Sequence, residues 1–233
     1  MGRTIAVIPA RGGSKSIPYK NIVNFLDRPL IEHVIESAHR SLEIDEIICS
    51  TDSDRIASIV ENLGVKVDSR VESLSQDCTP IVDVLKDLTA RLDDVDIVPL
   101  LQPTSPFILP EHIDACVLSI KEDNSLSSAQ TVAQFPHNFH AYNQRVVENG
   151  YANFKFLHER KLCYNKQSKP TLYMFGNIVA TRKITLDIEN DVFGRKSAAV
   201  EIQPEYAFDL DTYDDIDYGE FLVSKGKVSL PWL

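Results

Sequence analysis

Near the start of the chain, Arg11, Lys15 and Lys20 fall within ten residues and bracket Gly12, Gly13 and Ser14, with Asn21 directly after. Adjacent glycines let the main chain run close to a ligand, so that N–H groups can face phosphate oxygens. Three cations in a chain that is acidic overall mark a local anion site, suited to something rich in phosphate. The competing reading is an ordinary strand-to-helix connection with surface cations. Neither the dinucleotide pattern G-x-G-x-x-G nor a P-loop ending in Gly-Lys-Ser/Thr occurs, so hydride transfer and P-loop phosphoryl transfer start without support. Far along the chain, Asp209 and Asp211 stand two residues apart within Phe208-Asp209-Leu210-Asp211-Thr212. In an extended segment that spacing turns both carboxylates to one side. Such a pair suits Mg²⁺, which takes one or two carboxylates and leaves positions for phosphates and water. Asp214 and Asp215 follow at the start of a helix, where acids favour the helix dipole and need no ligand.

These residues need elements to hold them. Ile5 to Ile8 reads as a buried parallel strand ending at Pro9. Leu30, Ile31, Val34, Ile35 and Ala38 then repeat at helical spacing behind Pro29. Glu46 to Cys49 is a second strand, followed by Ser50 to Ser53 as candidate N-caps for a helix from Ile56 to Leu63 that Gly64 stops. Val65 to Val67 is a third strand. Asp77 to Pro80 begins a helix carrying Val84, Leu85 and Leu88. Ile97 to Leu101 is a fourth strand, and Pro110 opens a helix through Ile120. Strands alternating with helices predict a mostly parallel, Rossmann-like α/β sheet covered on both faces. Ligands bind beyond the carboxyl ends of such strands. Arg11 to Asn21, Ser50 to Asp52, Arg70 and Gln102 to Ser105 all follow strand ends, so they should gather on one edge.

Beyond Ser125 the pattern changes. Ser125 to Val132 reads as a strand, and Tyr142 to Phe156 alternates around Asn149-Gly150, a hairpin turn signal. Asn177 to Thr181 and Ala198 to Ile202 are further strands, and a last helix spans about Tyr213 to Val223. No repeat or low-complexity linker divides the chain. A single domain over residues 1–233 is expected, with a β-hairpin arm at about 135–170 that covers the core or joins two copies.

Composition narrows the field. The chain has 233 residues, and its 24 Lys and Arg against 34 Asp and Glu give a formal net charge of −10, which argues against nonspecific nucleic-acid binding. No apolar run approaches the roughly 18 residues of a membrane span, and no signal-peptide pattern opens the sequence. Cys49, Cys78, Cys116 and Cys163 lack metal-ligand spacing, which fits free thiols in a reducing cytoplasm.

Four separated motifs, IPARGGSKSIPYKN, STDS, LLQPTSP and DLDT, keep an order and spacing over nearly the whole chain that resembles the CMP-sialic acid synthetases, the acylneuraminate cytidylyltransferases. The resemblance implies a nucleotidyltransferase fold with a dimerisation arm, transfer of CMP from CTP to a nonulosonic (sialic-acid-like) keto-sugar acid, Mg²⁺ as cofactor and a homodimer. It assigns Ala10, Arg11, Gly12, Gly13, Ser14, Lys20 and Asn21 to the CTP phosphates and nucleotide, and Arg70, Asp77 and Thr79 to the cytidine stretch. Gln102 would meet the sugar, and Asp209 with Asp211 would bind Mg²⁺. Arg11, Lys20 and Asp211 become the catalytic set.

The chain departs from that pattern in its sugar half. Ser16 replaces a frequent glycine, and Phe107-Ile108 stands where Leu-Arg is usual. Lys166 stands where an acceptor-site arginine is expected, and a lysine does not reproduce the planar, two-point carboxylate grip of arginine. Gly176-Asn177 replaces Asn-Gly, and Ala180 a tyrosine. Two alternatives therefore stand: the same fold with GTP or with a legionaminate or pseudaminate acceptor, and a non-catalytic nucleotide-sugar binding module.

Overall fold

A computed structural model describes residues 2–233. The apolar run near the N-terminus forms β1 (Arg3–Pro9), with Ile5 to Ile8 fully buried. A two-residue hairpin, β2 (Asn24–Phe25) and β3 (Arg28–Pro29), leads into α1 (Leu30–Arg40). Then come β4 (Glu46–Thr51), α2 (Asp54–Asn62), β5 (Lys66–Ser69), α3 (Ile81–Ala90), β6 (Val95–Leu101), α4 (Pro110–Glu122) and β7 (Ser128–Gln134). A separate hairpin, β8 (Arg145–Glu148) and β9 (Tyr151–Phe154), precedes α5 (Leu157–Leu162). The chain ends through β10 (Tyr173–Arg182), α6 (Lys183–Glu189), β11 (Ser197–Ile202) and α7 (Tyr213–Ser224).

Seven strands form one sheet in the order β11-β7-β10-β6-β1-β4-β5. β10 runs antiparallel to both of its neighbours, and the other adjacent pairs are parallel. From β1 the chain moves outward through β4 to β5, then returns to β6 on the opposite side of β1. The connections diverge at that point, which opens a crevice beyond the carboxyl ends of β1 and β6. Buried side chains from α1, α2 and α4 pack one face of the sheet, and those from α3 and α6 pack the other.

A third apolar cluster lies apart from those two layers. Ile17, Phe25, Leu30, Phe107, Leu210, Leu222 and Trp232 pack together, and Phe107 stacks on Phe208 with ring centroids 4.9 Å apart. The indole N–H of Trp232 donates to His33 Nδ1 at 3.1 Å, and His33 Nε2 donates to the Phe25 carbonyl at 2.9 Å. The apolar tail thus ties the N-terminal loop, the loop after β6 and the segment before α7 into one body.

Several local expectations shift. Ser50 and Thr51 are strand residues, and Ser53 caps α2 by accepting the Ile56 N–H at 3.5 Å. α3 begins at Ile81, which leaves Asp77, Cys78 and Thr79 in the preceding loop. β7 starts three residues later than its apolar pattern suggests, and β10 four residues earlier. α5 and α6, six and seven residues long, are additional to the elements expected from the sequence. Asn149 and Gly150, with φ of 53° and 82°, form the turn of the β8–β9 hairpin, which pairs with no strand of the main sheet. Among the described residues, no helix is long and apolar enough to cross a membrane. All four cysteines are free, and burial pushes the thiols of Cys49 and Cys116 up to about 12.

Candidate active site

A cleft of about 620 Å³ opens beyond β1 and β6, and Arg11, Gly13, Ser14, Lys20, Asn21, Arg70, Asp77, Thr79, Gln102, Asp209 and Asp211 line it. Segments that lie nearly two hundred residues apart in sequence therefore meet at one sheet edge. Leu74, Ile81 and Val84 give the cleft an apolar wall.

The loop after β1 is held from below. Ala10 is fully buried and hydrogen-bonds through its N–H to the Ser50 carbonyl at 2.9 Å. Asn21, also buried, donates from Nδ2 to the Arg11 carbonyl at 3.0 Å, so it braces the loop from within while facing the cleft. The two glycines divide their roles. The Gly12 N–H is taken by Asp52 Oδ1 at 2.8 Å, and a Cβ at Gly12 would stand 2.9 Å from the Ser53 Cβ. Gly12 is thus small to let the loop close on the cap of α2, and it lies outside the cleft lining. A Cβ at Gly13 would meet nothing within 4 Å, and Gly13 borders the cleft. Of the two glycines, Gly13 alone borders the cleft.

The carboxylate pair is set by Leu210. That side chain is fully buried in the third cluster, and its N–H donates to the Thr104 carbonyl at 2.7 Å. With Leu210 turned inward, Asp209 and Asp211 both turn toward the cleft. Burial pushes the Asp209 carboxyl above its ordinary range; the Thr104 hydroxyl opposes that shift and the nearby Asp211 charge adds to it. Lys20, largely buried, donates from Nζ to Asp211 Oδ1 at 2.7 Å. Asp215 has a different part: its Oδ2 accepts the Asp211 and Thr212 N–H groups at 3.0 and 2.7 Å and closes the capping box of α7. Two hard oxygen donors held close, one of them raised in pKa by burial and by the other's charge, fit a divalent cation such as Mg²⁺. Among the described residues no third His, Cys, Asp or Glu completes a cluster, so a metal here would share its remaining positions with phosphate and water.

Arg70 leaves the end of β5 and anchors on β4, donating from Nε to Ser50 Oγ at 3.2 Å and from Nη2 to the Ser50 carbonyl at 2.7 Å. Burial lowers its pKa, and the Asp52 charge opposes that shift. Asp77 takes a position that the sequence does not signal. Its carboxylate pairs with Arg11 through Oδ1 and with Lys15 Nζ through Oδ2, the latter at 2.5 Å. Those two hydrogen bonds, Lys15 before Arg11, hold its carboxyl below the ordinary range.

Lys166 does not join these residues. It lies in a short 3-10 turn, Lys166–Ser168, between α5 and β10, and is absent from the cleft lining. Phe107 and Ile108 are both fully buried, one in the third cluster and one in the sheet core, so a cation at Ile108 would have no water. Gly176 and Asn177 sit at an irregularity in β10. A Cβ at Gly176 would lie 2.4 Å from Thr131 Oγ1, so glycine is needed there for close approach. Asn177 donates from Nδ2 to His112 Nδ1 at 3.2 Å and to the Tyr206 carbonyl at 3.0 Å. Sequence reasoning placed Thr104 at the ligand edge within Gln102 to Ser105 but gave no role to Leu210 or His112. Leu210 alone carried a signal: it is the apolar residue between two acids.

Residues 5–223 match the family described as Cytidylyltransferase. The N-acylneuraminate cytidylyltransferase of Streptococcus agalactiae serotype III is 31% identical over 217 residues, 91% of this chain and 51% of that protein. The CMP-N,N'-diacetyllegionaminic acid synthase of Legionella pneumophila is 42% identical over 116 residues, 48% of this chain and 50% of that protein. The chain spans about half the length of the curated relatives it matches. A solved structure of CMP:2-keto-3-deoxy-manno-octonic acid synthetase complexed with CTP shares the fold, with a TM-score of 0.73 at 20% identity, covering 96% of this chain and 99% of that one. The matched span takes in every segment of the cleft, from the loop after β1 to the start of α7, and the chain belongs to the cytidylyltransferase family.

Proposed function

We propose that this chain transfers CMP from CTP to an anionic keto-sugar acid, releasing pyrophosphate. The observation that carries the reading is the meeting of Asp209 and Asp211 with Lys20 at the mouth of the cleft, where Lys20 Nζ lies 2.7 Å from Asp211 Oδ1. Cations that would hold a triphosphate thereby face carboxylates that would hold a metal. The acceptor's anomeric hydroxyl would release its proton to water and form a bond to the α-phosphorus as the bond to the oxygen bridging the α- and β-phosphates breaks, and that electron pair would leave with pyrophosphate. Arg11, Lys15 and Lys20 would stabilise charge gathering on that leaving group. Arg70, fixed on Ser50, and Thr79 would border the nucleoside against the apolar wall of Leu74, Ile81 and Val84, and Gln102 would hydrogen-bond the sugar. Mg²⁺ bound by Asp209 and Asp211 would neutralise charge on the α-phosphate and lower the pKa of the attacking hydroxyl.

The arm is the proposed contact between two copies. Val147, Tyr151 and Leu162 expose more than 70% of their surface there. Arg145, Lys155, Arg160, Lys161, Lys166 and Lys169 outnumber Glu148 and Glu159 on the same segment of an acidic chain. Lys166 would meet an acceptor carboxylate where the arm of one copy reaches the cleft of the other. A second reading of the acceptor, a legionaminate-type acid, is favoured by the 42% identity to the Legionella pneumophila synthase over half of the chain.

Pyrophosphate release with Mg²⁺, each of the four nucleoside triphosphates and a panel of eight- and nine-carbon keto-sugar acids tests the reading. Release with CTP and one acid identifies the reaction and the acceptor. Release with GTP alone overturns the base assignment, and nucleotide binding with no release across the panel favours a binding module.

A further inference from the structure

Residues 71–79 form a strap that joins β5 to α3 across the cleft. Its internal hydrogen bonds are short-range: Leu74 N–H to the Val71 carbonyl at 3.0 Å, Ser75 N–H to the Glu72 carbonyl at 3.0 Å and Thr79 N–H to the Gln76 carbonyl at 3.1 Å. The Ser75, Gln76 and Thr79 side chains also bond within the strap. Among the described residues, the strap's hydrogen bonds and ion pairs to anything outside it are those of Asp77, to Arg11 and Lys15. One carboxylate therefore tethers the strap and, with its two oxygens, occupies two cations of the loop after β1.

We propose that Asp77 is an internal substitute for phosphate: a latch that holds the strap against the loop and that a polyphosphate must displace from Arg11 and Lys15 to bind. This rests on the reading of the loop as a triphosphate site and assigns Asp77 a role opposite to that of a nucleotide contact. A carboxylate bridging a guanidinium and an ammonium satisfies the same donors as adjacent phosphate oxygens. Both are anions, so the two cannot share those cations without repulsion. Leu74, Gln76 and Thr79 line the cleft from the same strap, so release of Asp77 frees the segment that borders the nucleoside. Polyphosphate binding and strap movement become one exchange, and the apparent affinity is reduced by the fraction of molecules in which the latch is closed.

Calorimetric titration of pyrophosphate and of CTP, without metal, into the wild-type chain and Asp77→Asn tests the proposal. Loss of an exposed two-cation pairing predicts pyrophosphate binding about three- to tenfold tighter in Asp77→Asn. Glu72→Gln removes one negative charge from the same strap without touching Arg11 or Lys15, and is expected to leave pyrophosphate affinity within about twofold of wild type. Amide exchange over residues 71–79 is expected to rise in wild type on adding pyrophosphate and to be high already in Asp77→Asn. Unchanged or weaker pyrophosphate binding in Asp77→Asn overturns the latch, as does equal tightening in Glu72→Gln. Tighter pyrophosphate in Asp77→Asn with no CTP binding by either protein overturns the cytidylyl reading and leaves the latch standing.

Discussion

His112 makes stability depend on pH in a way that can be worked from its surroundings. Its Nδ1 accepts the Leu109 N–H at 3.2 Å in the first turn of α4 and the Asn177 Nδ2–H at 3.2 Å. Both bonds need an unprotonated Nδ1, and the side chain is only 8% exposed. Burial pushes its pKa down from 6.5 to about 4. Between those values the unfolded chain binds a proton that the folded chain refuses, so stability is full above about pH 6.5 and falls as pH drops toward 4. A shift of this size is worth on the order of 3 kcal/mol once the pH is below 4, and most of it is already lost at pH 4.5. His33, whose pKa burial also lowers, adds a loss of the same sign. The comparison is wild type against His112→Asn, which keeps an acceptor near the Nδ1 position and cannot titrate. Urea unfolding followed by far-ultraviolet circular dichroism at pH 7.5, 6.5, 5.5 and 4.5 gives the stability of each. The wild-type midpoint is expected to fall by about 1 M more than that of the variant between pH 7.5 and 4.5. Parallel curves would refute the linkage, because the difference in slope belongs to this one proton.

Other perturbations separate the parts of the cleft. Asp211→Asn is expected to cut pyrophosphate release by about a hundredfold or more with its thermal unfolding curve unchanged, since Asp211 is exposed and Asp215 still caps α7; full activity would remove Asp211 from the metal pair. Leu210→Ala opens a cavity in the third cluster and should cost about 2–5 kcal/mol in urea unfolding. Divalent-cation binding, read by calorimetry, should weaken with it. The glycines of the loop after β1 should respond oppositely: Gly12→Ala forces its Cβ against Ser53 and is expected to destabilise by about 1–3 kcal/mol, whereas Gly13→Ala meets open space and should be neutral or slightly stabilising in thermal melts. Equal effects of the two would refute the division of roles between them.

Much of the fold was legible because its signals are local. Ile5 to Ile8 followed by a proline and two glycines marks a strand and its exit within nine residues. Asn149-Gly150 meets the positive φ that a two-residue turn requires. Asp214 and Asp215 fall in the first turn of α7, where acids favour the helix dipole, and Asp215 also completes the capping box with Thr212. Periods of two and of 3.6 separate strands from helices, and their alternation implies a mostly parallel sheet covered on both faces, whereas the strand order on either side of β1 is read from the tertiary structure alone. The antiparallel direction of β10 carried no comparable signal, since a strand buried on both faces reads the same in either direction.

The sequence by itself determined the strand-ending loops and the spacing of Asp209 and Asp211, because each depends on residues within a turn or two of one another, and the family pattern, because four short motifs carry it in their linear order. Tertiary structure alone decided what those residues touch. Gly12 meets an acceptor 40 residues away, Arg11 an acid 66 residues away and Lys20 a carboxylate 191 residues away. It also decided that Gly12 serves packing, that Asp77 binds the loop's own cations, and that Lys166 lies in the turn between α5 and β10, outside the cleft. Contacts over such separations are chosen by how whole layers pack, here by a third apolar cluster that fastens three distant loops into one wall. No local pattern encodes that choice, because its free energy arises from the burial of residues that become neighbours only when the chain has folded.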